Sequence, residues 1–395
     1  MTDFSFRKIA VAAFGPTLLF GIGEGAIIPV VALLARDLGA SVPMAALAVT
    51  LISIGCVLNN VPASLFTTRW GERIAIVVAG LWSALGMAVC LFASQFSVFA
   101  VGCLMIGMSQ AVYNLARQSY MTEVVPISHR ARALSALGGV VRIGTFIGPF
   151  ASAAVIHFYG LSAAFAVGIV AVLSAAAFGS RIPDLKGMGR QLPADSNRRV
   201  SLLSTFADHH KVFLTLGIAI LFVGAVRASR QVILPLWADH LGLAPAAASV
   251  IYGLAGGIEM LVFYPAGKVM DVKGRRWVAL PAMLIMGIGM VLMPLTSGFV
   301  TLLLAAMTIG FGNGISSGMN MTLGADHAPV EGRAYFLGVW RLMADIGATA
   351  GPAMVSLIVS AASLATGIAL MGVVAAAAAG LLHLWIPSAK DAKRR

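Results

Sequence analysis

Eight charged residues lie within or beside long apolar stretches of this chain: Glu24, Arg117, Arg142, Arg227, Arg230, Glu259, Arg341 and Asp345. A guanidinium in such surroundings binds carboxylate or phosphate through paired hydrogen bonds. A carboxyl there changes its proton affinity with its setting. Desolvation favours the neutral acid, whereas a nearby cation or water favours the carboxylate. The chemistry within reach is binding of an anionic or zwitterionic solute together with reversible binding of protons. Five arginines against three acids leave a formal excess of two positive charges, which such a solute would relieve. Helical spacing sorts the residues into faces. Gln110, Asn114 and Arg117 share one face with Tyr113 adjoining, and Gly138, Arg142, Thr145 and Pro149 share another. Arg227 and Arg230 are three apart, and Arg341 and Asp345 four apart.

The solute-binding candidates are therefore Arg142, Arg227, Arg117, Tyr113, Asn114, Gln110 and Arg341. Each has a plainer reading beside it. Arg117 can snorkel to the membrane interface, Arg341 and Asp345 can neutralise one another, and Arg230 can cap an extracellular gate. Glu24 is the leading proton-binding candidate, as the sole acid among the first six apolar stretches, in the run Gly21-Ile-Gly23-Glu24-Gly25. Asp345 and Glu259 compete for that role. The alternative for Glu24 is a fixed ion pair with Arg142 or Arg227.

Other chemistries are excluded by context. Gly314-Ile-Ser316-Ser-Gly318 fits the GxSxG pattern, but that motif works on a sharp strand-to-helix turn. Here it is expected inside an apolar helix. No GxxxxGK[ST] phosphate loop occurs, since Val262 stands five residues before Gly267-Lys268. Asn320-Met-Thr322 matches a glycosylation acceptor but falls at the end of a span. His209-His210 is an isolated pair, and Cys56, Cys90 and Cys103 all lie in apolar segments. Neither a metal site nor a cofactor is expected.

The elements that position these residues follow from composition. The chain is 59% apolar and 11% charged, with a mean hydropathy of +0.93. A soluble domain carries about 25% charged residues. Lipid must be the solvent for most of the exterior. Apolar stretches long enough to span it fall near 9–34, 43–66, 74–94, 98–120, 133–158 and 161–180. They resume near 212–237, 245–266, 277–296, 300–322, 334–359 and 365–386. The first contains Glu24 and is too long for a signal-peptide core, so it counts as a span. A charge at the bilayer centre costs roughly 2.5–3.5 kcal/mol, so eight facing lipid would cost on the order of 20 kcal/mol. They must face protein or a wet cavity.

The net charge of +12 reports topology rather than nucleic acid, because the basic residues sit in short runs between spans. Of 27 Lys and Arg, 21 fall in loops on one side, including six in 181–211 and four at the C-terminus, and only Arg36 in a loop on the other. Both termini and the central segment are then cytoplasmic. Cysteines introduced at Ser196 and Ala389 should react with impermeant reagents from the cytoplasmic side alone. Labelling from outside intact cells would reverse the topology.

A repeat underlies the two sets of spans. Pro62 and Pro265, Gly71 and Gly274, Gly107 and Gly310, Pro126 and Pro329, and Leu38-Gly39 and Leu241-Gly242 are each 203 residues apart. Gly139-Val-Val-Arg142 resembles Gly338-Val-Trp-Arg341 with a small shift. The division expected is a first half over 1–180, a linker over 181–211 and a second half over 212–395. Gly310, Gly314 and Gly318 recur every four residues, as close helix packing requires.

Over essentially its whole length the chain resembles the major facilitator superfamily. The segment from Gly267 through Asp271 and Gly274 to Arg275-Arg276 fits that family's GxxxDxxGRR loop. Its first-half counterpart keeps Gly71 and Arg73 but has Thr68 in place of the acid. Gly144-xxx-Gly148-Pro149 is similar to the family's antiporter motif, ending in Ser152-Ala153 rather than two glycines. Where the drug/proton antiporters carry an Arg four residues before the position of Gly107, this chain has Cys103, so their coupling scheme does not carry over intact.

The resemblance implies an all-α membrane protein with twelve transmembrane helices in two six-helix halves around a central cavity. Spans three, six, nine and twelve, which carry none of the eight charges, would form the outer scaffold. Asp271, Gly274, Arg275 and Arg276 would form an intracellular gate. The activity expected is secondary active transport, as proton-coupled export of small organic molecules, without enzymatic activity. Uptake of an organic anion by a symporter or uniporter is the alternative. The expected partners are a small anionic or zwitterionic solute, protons and the lipid bilayer, with no nucleic acid. The expected setting is the inner membrane, as a monomer.

Overall fold

A computed structural model describes residues 14–125, 127–182, 206–329 and 333–386. Among these the chain is helical, with no strand. The first six helices are α1 (Gly15–Asp37), α2 (Val42–Trp70), α3 (Glu72–Leu91), α4 (Phe96–Val124), α5 (Ile127–Tyr159) and α6 (Ala163–Gly179). After a π-helical turn at Phe213–Gly217 come α7 (Ile218–His240), α8 (Pro245–Lys273), α9 (Arg276–Leu292) and α10 (Phe299–Ile315). The last are α11 (Met319–His327), α12 (Arg333–Ala361) and α13 (Leu364–Trp385). Eleven spans among the described residues are long and apolar enough to cross a membrane, counting α10 and α11 as one. The sixth expected span, α6, is apolar but only 17 residues long. With no water in the bilayer core to satisfy backbone groups, helices are the form such segments take.

The expected linker lies outside the described residues from 183 to 205. The chain divides into two compact units, Met1–Met188 with Leu234–Gly256, and Gly189–Ile233 with Gly257–Arg395. The C-terminal end of α7 and the N-terminal half of α8 thus belong with the first unit. Within that unit α1 packs on α5 and α6, α2 on α4, and α3 on α4 and α6. In the second, α9 packs on α10 and α13.

Glycines set these crossings. A Cβ on Gly21 would lie 3.0 Å from the Val141 carbonyl oxygen, and one on Gly144 would meet Leu18 and Gly21 backbone. In the second unit a Cβ on Gly224 would lie 2.7 Å from the Ala344 carbonyl oxygen, and one on Gly347 would fall on the Leu221 carbonyl. Gly148 meets Ile22 and Gly351 meets Ala225 in the same way. Every one of these residues and its counterpart are 203 apart. The α5 and α12 helices therefore share the register seen elsewhere in the repeat. The likeness between 139–142 and 338–341, which are 199 apart, is not the structural equivalence. In the packing register Arg142 corresponds to Asp345, and Glu24 to Arg227. The two segments share only the short string Gly-Val-x-Arg. Backbone contact at the glycines is what fixes the alignment of two crossing helices.

The tenth span is broken. α10 ends at Ile315, Gly318 adopts φ +86° and α11 starts at Met319. Gly318 is therefore a left-handed turn residue rather than a packing glycine, a conformation open to glycine without a Cβ penalty. Gly314, four residues earlier, does pack closely: its Cβ would lie 2.8 Å from the Glu259 Cα. The GxSxG string straddles this break rather than lying inside a helix. It still lacks the strand-to-helix turn on which a hydrolase nucleophile depends.

Candidate functional site

Glu24 lies on α1 in helical register with Phe20 and Thr17, four and seven residues before it. That face meets α4, where the Phe20 ring stacks on Tyr113 with centroids 3.7 Å apart and planes 4° from parallel. The other faces of α1 are taken by helix packing. A Cβ on Gly25 would lie 2.7 Å from the Thr145 Cα of α5, and one on Gly23 would lie 2.8 Å from Val172 of α6. The glycines around Glu24 thus serve neighbouring helices and hold its backbone from two sides.

Arg117 stands one turn beyond Tyr113 on α4. Its guanidinium lies 6.0 Å from the Tyr113 ring centroid, within cation–π range. Tyr113 is fully buried. It stacks on Phe20 and lies within cation–π range of Arg117. Gln110, Asn114 and Arg142 are half-buried on α4 and α5.

In the second unit, Arg227 Nε donates to Asn313 Oδ1 at 2.7 Å. Asn313 is buried, three residues before the break in the tenth span. Arg230 Nη1 donates to Glu259 Oε2 at 2.8 Å, with side chains only 12% and 14% exposed. Arg230 is thus tied to Glu259 of α8 by a largely buried ion pair. The contact of Gly314 with Glu259 backbone joins the two interactions, so α7, α8 and α10 meet at one place. Sequence reasoning did not single out Asn313. Its equivalence to Gln110 in the 203-residue register was the available signal. Arg341 Nε and Asp345 Oδ2 lie 3.8 Å apart one turn along α12, the guanidinium 57% exposed.

At the loop between α8 and α9, Gly274 has φ +97° and turns the chain. Arg275 is bidentate to Asp326 of α11, with Nε at 2.8 Å and Nη2 at 3.2 Å. It also donates to the Met270 carbonyl at 3.2 Å. Arg276 Nη2 lies 2.6 Å from the ring nitrogen Nε2 of His383. The Asp271 side chain lies outside the described residues. In the first unit Glu72, at the position equivalent to Arg275, accepts a hydrogen bond from Ser119 at 2.8 Å. If the Arg275–Asp326 fork sets the rate of a conformational step, Arg275→Ala and Asp326→Ala should slow flux alike, and the double variant should be no slower. Additive losses would show that the two side chains act separately. Among the described residues no cluster of His, Cys, Asp and Glu could hold a metal ion.

The sequence model of the Major Facilitator Superfamily matches residues 14–331 and again 216–395. An uncharacterised MFS-type transporter of Methanocaldococcus jannaschii is 20% identical over 327 residues, 82% of this chain and 84% of that protein. The multidrug resistance protein MdtH of Shigella boydii is 25% identical over 285 residues, 72% of this chain and 69% of its own. Among solved structures, a bacterial homologue of the lysosomal transporter Spinster superposes with a TM-score of 0.75 at 14% identity, covering 97% of this chain and 96% of that one. The nucleoside transporter NupG superposes with a TM-score of 0.76 at 12% identity, covering 97% and 100%. At such identities the structural likeness speaks for the fold alone.

Proposed function

Because the chain belongs to the major facilitator superfamily, we propose that it is a secondary active transporter that exports small organic solutes in exchange for protons, by alternating access. The twelve spans of such a protein would be the eleven long ones with the shorter α6, in two six-helix halves. The likeness to MdtH supports efflux across an inner membrane. Loop charge supports cytoplasmic termini.

One observation carries the proton coupling: Glu24 is half-buried on the face of α1 that meets α4, where a shift of the two helices changes its access to water. The other membrane acids have close partners. Glu259 is bonded to Arg230, and Asp345 lies beside Arg341. A carboxyl whose access to water changes when the helices shift can gain or lose its proton with that shift, and so tie proton binding to conformation. Arg227 with Asn313, and Arg142 on α5, are the proposed solute contacts. They present guanidinium groups of the kind that bind carboxylate or phosphate.

The test is solute flux in proteoliposomes. Export by exchange requires saturable transport that responds to an imposed pH gradient, with solute and protons moving in opposite directions. The excess of arginine favours a second reading, uptake of an organic anion by a symporter or uniporter. Movement of solute with protons, or indifference to the gradient, would select it. A solute set confined to lipophilic cations would remove the anionic or zwitterionic assignment.

A further inference from the structure

Helices α1 and α7 end in the same cap. Gly39 has φ +82° and Gly242 φ +70°. In the first cap the backbone N–H groups of Leu38, Gly39 and Ala40 donate to the carbonyls of Leu34, Arg36 and Ala35. In the second, those of Leu241, Gly242 and Leu243 donate to Trp237, Asp239 and Ala238. Each donor and acceptor in one cap is 203 residues from its counterpart in the other. Arg36 and Asp239 occupy matching positions on these caps, and they face one another: Arg36 Nε lies 3.7 Å from Asp239 Oδ2. Arg36 is steadied by a 2.7 Å hydrogen bond from Nη1 to the Ala40 carbonyl of its own cap.

Equivalent residues meet in this way only beside a two-fold-like axis, where duplication of an identical residue sets a like pair against itself. Two arginines or two aspartates there would repel. Inversion of one charge turns that contact into attraction. A second contact in the same compact unit supports it. The edge of the Phe150 ring of α5 fills the space beside Gly253 of α8, so that a Cβ on Gly253 would lie 2.9 Å from Phe150 Cε2 and Cζ.

We infer that Arg36–Asp239 and Phe150–Gly253 form an extracellular latch, in which charge-inverted counterparts of the repeat hold the outer ends of α7 and α8 to α1 and α5. The purpose of the latch rests on the transport reading, but its geometry does not. Side chains 37% and 46% exposed make a weak ion pair. Weakness suits a contact that breaks in every cycle. Loss of the pair shifts the closed-to-open ratio by no more than roughly fivefold. Charge reversal of one partner, which creates repulsion, shifts it further.

The measurement is the distance between spin labels on cysteines placed at Met44 and Ala244, both exposed at the outer ends of α2 and α8. Cys56, Cys90 and Cys103 are first replaced by alanine. Arg36→Asp alone and Asp239→Arg alone should each lengthen and broaden the distance distribution. The double exchange R36D/D239R should return it to the starting distribution, which also shows that the singles had not simply unfolded. Gly253→Leu, which drives a side chain into the Phe150 ring, should lengthen it independently of charge. The latch is overturned if the single reversals leave the distribution unchanged, or if the double exchange stays as open as the singles. Distances that respond in a protein without solute flux would leave the latch standing and remove the transport reading.

Discussion

In proteoliposomes bearing a pH gradient, Glu24→Gln abolishes accumulation of solute and leaves counterflow running: this is the result expected if Glu24 carries the proton. Glutamine keeps the shape of the side chain and its hydrogen-bonding capacity but holds no exchangeable charge. Counterflow swaps labelled for unlabelled solute without net proton movement, so it needs only the binding site and the conformational change. The structure sharpens the companion variant. Arg117→Gln removes the arginine of α4 while leaving α1 and α4 joined through Phe20 and Tyr113. It should weaken coupling as well, with accumulation falling and counterflow retained. Survival of accumulation in Glu24→Gln would move the proton site elsewhere. Loss of both activities would make Glu24 a structural or solute-binding residue.

Gly107→Leu should be the most damaging single substitution on the first-unit scaffold. At the crossing of α2 and α4, a Cβ on Gly107 would fall on the carbonyl oxygen of Ile52, and one on Gly55 would fall on that of Leu104. Both obstacles are backbone, so neither can rotate aside. Overpacking a well-packed site costs roughly 1–3 kcal/mol and sometimes more, and here a whole side chain must separate two helices. The expected outcome is a lower melting temperature in detergent, with much of the protein lost to aggregation. Gly256→Ala is the matched control, since nothing lies within 4 Å of a Cβ at that position, and it should melt near the parent. Equal melting of the two variants would mean that the α2–α4 crossing is looser than its geometry implies.

The membrane fold was legible because hydropathy acts along the chain. Each expected span meets a helix within a few residues, apart from the break at Gly318 and the short α6. The break was missed for a local reason. Gly314, Ser316, Ser317 and Gly318 suit a packed helix face and a turn equally well, and only the backbone at Gly318 distinguishes them. The 203-residue repeat was legible at conserved-looking turns and prolines but slipped in α5 and α12, where the shared string Gly-Val-x-Arg was mistaken for the register. Glycine contacts corrected it, and with the correction Arg142 and Asp345, like Glu24 and Arg227, became counterparts of opposite charge.

By itself the sequence determined that lipid is the solvent, that the charges are few enough for each to need a polar setting, and that the chain is built twice over. These properties depend on residue type and on periodicity along one helix. The tertiary structure decided which groups meet: Arg227 with Asn313, Arg230 with Glu259, and Arg36 with Asp239. It also buried Tyr113 against Phe20. The reason is physical. An arginine side chain reaches any of several neighbouring helices, and whether it finds an acid, an amide or an aromatic ring depends on rotation and register between helices. Those are set by backbone approach at glycines far away in sequence, which no periodicity along a single span records.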